Sequence, residues 1–506
     1  MKSAITFLLN TKQYNFHLFK PLTMKTKKLL TNIFVTTMMI MGIVSVKANN
    51  LQITGTSVSG SNITFSIAWD NSWNASAAPS NWDAVWVFIK YQDCNTKLWK
   101  HANLSTLAAD HSAASPLQVD PVTDGKGVFI RRSAIGGGNI GSTSITLKMS
   151  TVSGTTNNYK VYGIEMVNIP EGAFQLGDGT SLYTFNSITV DENSQSNGLT
   201  ASQLGPYSDD LSPSFPMGYN SFYCMKYEIS QEQYADFLNS LTFTQQKNRV
   251  EIDPISAAGT YAMYSAYSYR NGVAVVTPGN NGAIPAVYGT DATSGNPNSS
   301  NDGQNIAMNA LGWNDLAAYL DWAALRPMTE LEFEKICRGT LPRIAGEYPW
   351  GSTDITATNS GNLTNAKMNN EISSTVVNNG MCAAGVGTTS TVYGPLRVGI
   401  FATSASGRLS AGASYYGAME MGGNLEERVI ASNTSGKGFN GTLGDGELTS
   451  TGFADQSTWP GTSGAGHIYR GGDYVSPGTY VRTSDRGSYY STTPARIYAA
   501  GGRGVR

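Results

Sequence analysis

The chain has 506 residues, 34 of them basic and 36 acidic, with 14% charged and 40% apolar. That length accommodates two or three domains, and the near balance of charge leaves no basic stripe to attract nucleic acid or an anionic membrane. With so few charges the polar surface has to come from Gly, Ser, Thr and Asn, a composition suited to β-rich, loop-rich secreted proteins.

Met24-Lys25-Thr26-Lys27-Lys28 reads as a positive n-region, Ile33 to Val46 as an apolar h-region, and Val46-Lys47-Ala48 as a small-x-small cleavage site. Residues 1–48 are therefore expected to be a signal segment, with Met24 as a candidate true start and Asn49 as the first exported residue. The apolar run is short for a bilayer span, and no later segment reads as one. No cysteine follows it closely enough for lipid attachment. The expected location is outside the cytoplasm: periplasmic, cell-surface or secreted. The cysteines are Cys94, Cys224, Cys337 and Cys382. Export permits disulfides. Cys224 and Cys337 could pair across a core or stay as buried thiols, and there is no Cys-x-x-Cys.

Residues 49–162 read as all-β. Ile63-Thr64-Phe65-Ser66-Ile67-Ala68-Trp69 alternates as a half-buried strand should, and Thr143 to Met149 alternates again. Ala84 to Tyr91 is a more continuous apolar strand. A small all-β sandwich is the economical expectation. His101 and His111 are too few for a metal site.

From about Val161 the pattern changes. Met166-Val167-Asn168-Ile169-Pro170-Glu171-Gly172-Ala173-Phe174-Gln175-Leu176-Gly177 reads as strand-turn-strand. A strand over Phe222 to Ile229 runs into a helix opened by the capping box Ser230-Gln231-Glu232-Gln233, with Tyr234, Phe237, Leu238 and Leu241 as its apolar face. Residues 243–305 are a Gly/Asn/Ser/Tyr-rich insertion with little periodicity. A second helix is expected over about Asn314 to Leu325, stopped by Arg326-Pro327. A third opens at Thr329-Glu330-Leu331-Glu332 and closes at Gly339. Glu330 and Glu334 suit capping and salt bridging better than acid–base catalysis.

Five segments occur in an order similar to that of the formylglycine-generating enzyme (sulfatase-modifying factor) family. They are Met166 to Gly177, the helix entered at Tyr227-Glu228-Ile229-Ser230, Leu331 to Gly339, Gly422-Gly423-Asn424-Leu425-Glu426-Glu427-Arg428, and Arg470-Gly471-Gly472 to Gly504-Val505-Arg506. The resemblance covers residues 165–506. It implies an α+β, C-type-lectin-related fold: a few short helices, small antiparallel sheets and much ordered loop. Asn81-Trp82-Asp83-Ala84-Val85-Trp86-Val87-Phe88, with Trp99-Lys100-His101, resembles a module that precedes this family in exported Bacteroidetes proteins.

Active relatives place two copper-binding cysteines after the Arg-Gly-Gly turn, and here those positions are Ser476 and Val481. Neither can supply a thiolate. Arg428 takes the place of a pocket aromatic. His467 is the one histidine after residue 165, so the three-histidine iron centre of a related branch cannot form. Neither copper nor iron is expected, and the reading leans away from an enzyme. Calcium is the ion the resemblance implies, at Glu427 with the carbonyls of Gly422, Gly423 and Leu425, and at Asn362 with the carbonyl of Leu363. A salt bridge from Glu427 to an arginine is the competing reading. Asp473, Tyr474, Ser476, Tyr480, Tyr489 and Tyr490 are the candidate ligand groove, tyrosine among small polar residues being the chemistry of adaptable recognition. Arg482, Arg486 and Arg496 are expected to pair with structural carboxylates. The leading expectation is a non-catalytic surface or secreted module binding a peptide, glycan or envelope protein. The alternatives are a divergent formylglycine-generating oxidoreductase, a retroelement-diversified lectin-fold receptor, or an envelope-machine component.

Overall fold

The alternating run at Ile63 forms one arm of a long antiparallel pair, β1 (Gln52–Ser59) and β2 (Asn62–Asn74). The continuous apolar run is β3 (Asp83–Gln92), followed by β4 (Val128–Arg132) and β5 (Gly136–Lys148). The computed structural model describes residues 50–506 apart from 153, 155, 156, 294, 298, 386–392 and 404, so the expected signal segment lies outside the described residues. β1, β2, β5 and Ser112–Ala113 make a four-stranded sheet.

β3 enters a second, eight-stranded sheet and is buried on both faces, which explains its unbroken hydrophobicity. Val85, Val87 and Ile89 pack against Ile63, Phe65 and Ile67 of the four-stranded sheet. Trp86 and Phe88 point the other way, into the core that holds the helices. Beside β3 lies β6 (Asn158–Ile169), paired with it from Asp83↔Val167 to Gln92↔Asn158. The C-terminal half of β6 then pairs with β7 (Phe222–Met225). The sheet continues from β7 through the last strand of the chain to Arg326–Pro327. The expected boundary at 162–165 therefore falls inside a strand, and one sheet contains residues from both sides of it.

Two helices pack on the Trp86 and Phe88 face of the sheet, and a third sets Phe333 and Ile336 against Val167, Ile169 and Cys224. α1 (Gln231–Leu238) has the predicted box, the Ser230 hydroxyl accepting from the Gln233 amide. α2 is Trp313–Trp322, somewhat shorter than expected, and α3 is Glu330–Arg338 with its Thr329–Glu332 box. Gly339 ends α3 at φ 64°, where a Cβ would stand 1.9 Å from the Tyr415 ring. The expected loop 243–305 holds more order than its composition suggests: a capped helix, Phe243–Arg249, and a hairpin, Val273–Thr277 with Val287–Thr290. Cys224 and Cys337 share one hydrophobic cluster as free thiols.

Candidate functional site

The site is built on a three-stranded sheet. β8 (Glu426–Ile430) pairs with β9 (His467–Arg470), placing Glu427 opposite Arg470. Arg470 reaches across to α3, where its guanidinium meets Glu330 at 3.4 Å and Glu334 at 3.1 Å. Arg486 pairs with Glu330 at 2.7 Å, and Arg338 with Glu334 at 3.0 Å and with Glu347. Three guanidinium groups thus face three carboxylates in a dry network, so each charge is compensated. Glu330 and Glu334 are structural, as the sequence indicates. Burial acts to raise Glu330, but Arg486 and Arg470 outweigh it and hold its carboxyl below the ordinary range.

Gly471 and Gly472 follow Arg470 with φ of 88° and 62°. A Cβ on Gly472 would lie 3.1 Å from the Tyr480 backbone, so glycine permits the close crossing of this loop. Asp473 then organises a tight turn, its Oδ1 accepting from the amides of Val475 at 2.7 Å and Ser476 at 2.8 Å. The Ser476 hydroxyl accepts from the Asp473 amide at 3.1 Å and so closes the turn on itself. Val481 is fully buried against Tyr348, Trp350 and Cys382. One position expected for a metal thiolate thus caps a turn, and the other fills an apolar cluster. The Cys382 thiol donates to the Gly422 carbonyl at 3.2 Å, and burial pushes it far up from its ordinary range. It is a packed thiol, not a reactive one.

The groove residues do not act together. Asp473, Tyr474 and Ser476 are buried. Tyr474 belongs to a core cluster, its hydroxyl donating to the Tyr498 carbonyl at 3.3 Å. Burial raises Asp473, and with Asp473 nearby burial lifts Glu426 to about 7. Tyr480 and Tyr490 are on the surface. Tyr490 meets Tyr489 edge-on, and Tyr489 stacks on Tyr207 with ring centroids 3.7 Å apart. Tyr183 packs edge-on to both Tyr207 and Tyr489. The four rings form one surface patch from three separate loops. Arg486 ties those loops from beneath by donating to the carbonyls of Pro206 at 2.9 Å and of Tyr183 and Tyr207 at 3.4 Å. The sequence reading found Tyr489 and Tyr490 but not Tyr183 and Tyr207, which lie nearly three hundred residues upstream with no periodic signal.

Of the residues expected to hold calcium, Glu427 and Gly422 already have partners within the protein. Glu427 is buried and its Oε1 lies 2.6 Å from Arg503, leaving only Oε2 without a partner. The Gly422 carbonyl receives the Cys382 thiol at 3.2 Å. Asn362 is exposed and Leu363 sits in a hairpin with Ser373. The Glu427 carboxylate thus offers one free oxygen, beside a guanidinium, toward the six to eight oxygen ligands that calcium takes. Among the described residues one trio of carboxylates brings its oxygens within 4.8 Å: Asp321, Asp445 and Asp455. Asp321 accepts there from the amides of Asp445 and Asp455, each at 3.0 Å, and so pins a glycine-rich loop to the end of α2. Burial lifts its carboxyl to about 7.

His467 is fully buried. It stacks on Trp313 at 5.0 Å and faces Arg428 through Nε2 at 2.6 Å. Its Nδ1 then carries the proton donated to the Gly464 carbonyl, and burial together with Arg428 lowers its pKa to about 3. Arg428 also donates to the carbonyls of Leu311, Thr493 and Ala495, locking the C-terminal loop. Arg496 pairs with Asp315 and Glu251, as expected for a structural arginine.

Residues 153–504 match the family model described as "Sulfatase-modifying factor enzyme 1-like domain". A solved structure, Treponema denticola variable protein 1, is 13% identical to this chain, covers 68% of it and 95% of its own length, and superposes with a TM-score of 0.31. No curated protein matches the chain in sequence.

Proposed function

Because this chain belongs to the sulfatase-modifying factor enzyme 1-like family, we propose that it uses the family frame for recognition, as an exported binding module and not as a copper oxidase. The observation that carries this reading is the pairing of two features in one region. Ser476 and Val481, to which the resemblance assigns the thiolate positions, are packed structural residues, while Tyr183, Tyr207, Tyr489 and Tyr490 form an aromatic patch held by a buried arginine. Flat aromatic faces with polar edges suit the C–H face of a sugar ring, so a glycan is the favoured ligand over a peptide. The reading needs no calcium at Glu427, since Arg503 already supplies the opposing charge.

The test starts from protein recovered after export, whose first residue is expected to be Asn49. On an array of glycans, Tyr490→Ala and Tyr489→Ala should each weaken binding about tenfold, the cost of one lost aromatic contact. Unchanged binding by both variants would overturn the tyrosine face. In parallel, a Cys-x-Pro-x-Arg peptide is incubated with the protein, copper, reductant and oxygen. No formylglycine above the enzyme-free control is expected, and product would return the chain to the oxidases.

A further inference from the structure

A cavity of about 380 Å³ opens between β1, β6 and α1, away from the tyrosine patch. It is at the small-ligand end of the roughly 300–1,000 Å³ spanned by binding pockets. Its lip is set by a glycine: a Cβ on Gly163 would lie 2.8 Å from Ile53 and 3.0 Å from Leu51, so β1 can lie close against β6 only because Gly163 has none. Its floor is aromatic, from Phe88, Tyr162 and Trp322. Phe88 stacks on Tyr162 at 5.3 Å, and Trp322 meets both rings edge-on.

The charged part of the lining has one sign. Glu165, Glu228, Glu232 and Asp236 line it, and among its described lining residues there is no Lys, Arg or His. Cations outside the lining offset only part of this, Lys226 at Glu165 and Lys160 at Asp236. Lys226 serves two buried carboxylates, Glu165 at 3.1 Å and Asp83 at 3.6 Å. Among the described residues Glu232 makes no ion pair, and Asp236 follows it by one helical turn on the same face of α1. Three lining residues carry buried polar atoms without a partner: the Tyr162 hydroxyl, Glu165 Oε1 and Trp322 Nε1.

The chain itself shows what this lip accepts. The Lys160 ammonium lies 2.9 Å from Asp236 and 5.3 Å from the Tyr162 ring centroid, with its side chain 40% exposed. An alkylammonium between a carboxylate and an aromatic face is stabilised by both. We propose that this cavity is a binding site for a small alkylammonium group, with Glu232 as its free counter-charge and Lys160 as an internal competitor at the mouth. The proposal is independent of the tyrosine patch, so either can fail without the other.

Isothermal titration of the exported chain with cadaverine tests it, with 1-pentanol as the uncharged control. One-site saturable binding of cadaverine, tighter than that of 1-pentanol, is expected. Glu232→Gln removes an exposed charge and should weaken binding about fivefold, whereas Lys160→Ala frees Asp236 and should strengthen it about fivefold. Both residues are on the surface, and thermal unfolding confirms that the variants remain folded. Nα-acetyl-lysine methylamide forms the second arm. If it binds as well as cadaverine, the source is a lysine side chain on a peptide, and if only cadaverine binds, it is a free amine. Binding of neither, cadaverine no tighter than 1-pentanol, or two variants identical to the parent chain would overturn the site.

Discussion

Glu420 carries the most testable single charge in the molecule. It is buried, one oxygen accepts from the Gly399 amide at 3.0 Å, and the other has no partner. Burial lifts its pKa from 4.5 to about 7. Between those values the folded chain keeps a proton that the unfolded chain releases. Glu420 therefore costs no stability below about pH 4.5, and stability falls as pH rises through 7, by up to about 1.4 kcal/mol per pH unit. His467 acts in the opposite sense, over a window that overlaps the first between about 4.5 and 6.5. Held neutral with a pKa of about 3, it contributes stability above 6.5 that is lost as pH falls from there. Denaturant unfolding of the parent chain and of Glu420→Gln at pH 5 and pH 8 separates the two. Glu420→Gln mimics the protonated form, so it should leave stability at pH 5 nearly unchanged and raise it by about 2 kcal/mol at pH 8. Equal shifts at both values would mean that Glu420 is not the group that titrates. None of this is legible in the sequence, because Met419-Glu420-Met421 gives no sign that its glutamate is buried. The expectation for Ser476 and Val481, by contrast, rests only on residue identity at two positions, which a sequence displays directly.

Short-range signals predicted the elements well. Both capping boxes that open α1 and α3 were readable, because an N-cap hydroxyl and its partner three residues on form a local pattern. The 243–305 insertion shows little periodicity overall, although Val273-Ala274-Val275-Val276-Thr277 within it is an apolar run that a strand reading accommodates. What no local pattern reveals is how β9 is fixed to α3. That link is Arg470, which bridges Glu330 and Glu334 one helical turn apart. Arg470→Met keeps much of the volume and leaves two glutamates with Arg486 and Arg338 alone. Breaking a buried network in this way should cost about 3–5 kcal/mol. The loss would be measured as a lower denaturant midpoint at constant slope. A shift under 1 kcal/mol would mean that Arg486 and Arg338 suffice to hold α3 against the sheet.

At the scale of the molecule, the sequence suggested two bodies joined near residue 162, and the hydrogen bonding runs through that point. Composition changes there because β-only structure gives way to helices and long loops, but β6 belongs to both sides. Further contacts sew the parts together. The Trp86 indole donates to the Ala323 carbonyl at 2.9 Å. Arg506 lies 4.1 Å over the Trp86 ring and pairs with Asp124 at 2.5 Å. Asn81 donates to the carbonyls of Asn168 and Tyr416, at 3.0 and 2.9 Å. Removing residues 50–157 would strip β3 from β6 along its whole length and leave an exposed edge strand, and it would open the helical core at Trp86 and Phe88. A chain beginning at residue 158 should therefore be insoluble or lack a cooperative transition, whereas the chain from Asn49 should unfold in one calorimetric step with equal calorimetric and van't Hoff enthalpies. Two resolved transitions in the longer chain, together with a folded shorter one, would mean that the shared sheet does not couple the two parts. The cavity beneath β1 would then vanish with the first part, while the tyrosine patch, built entirely from residues after 180, would survive in the second.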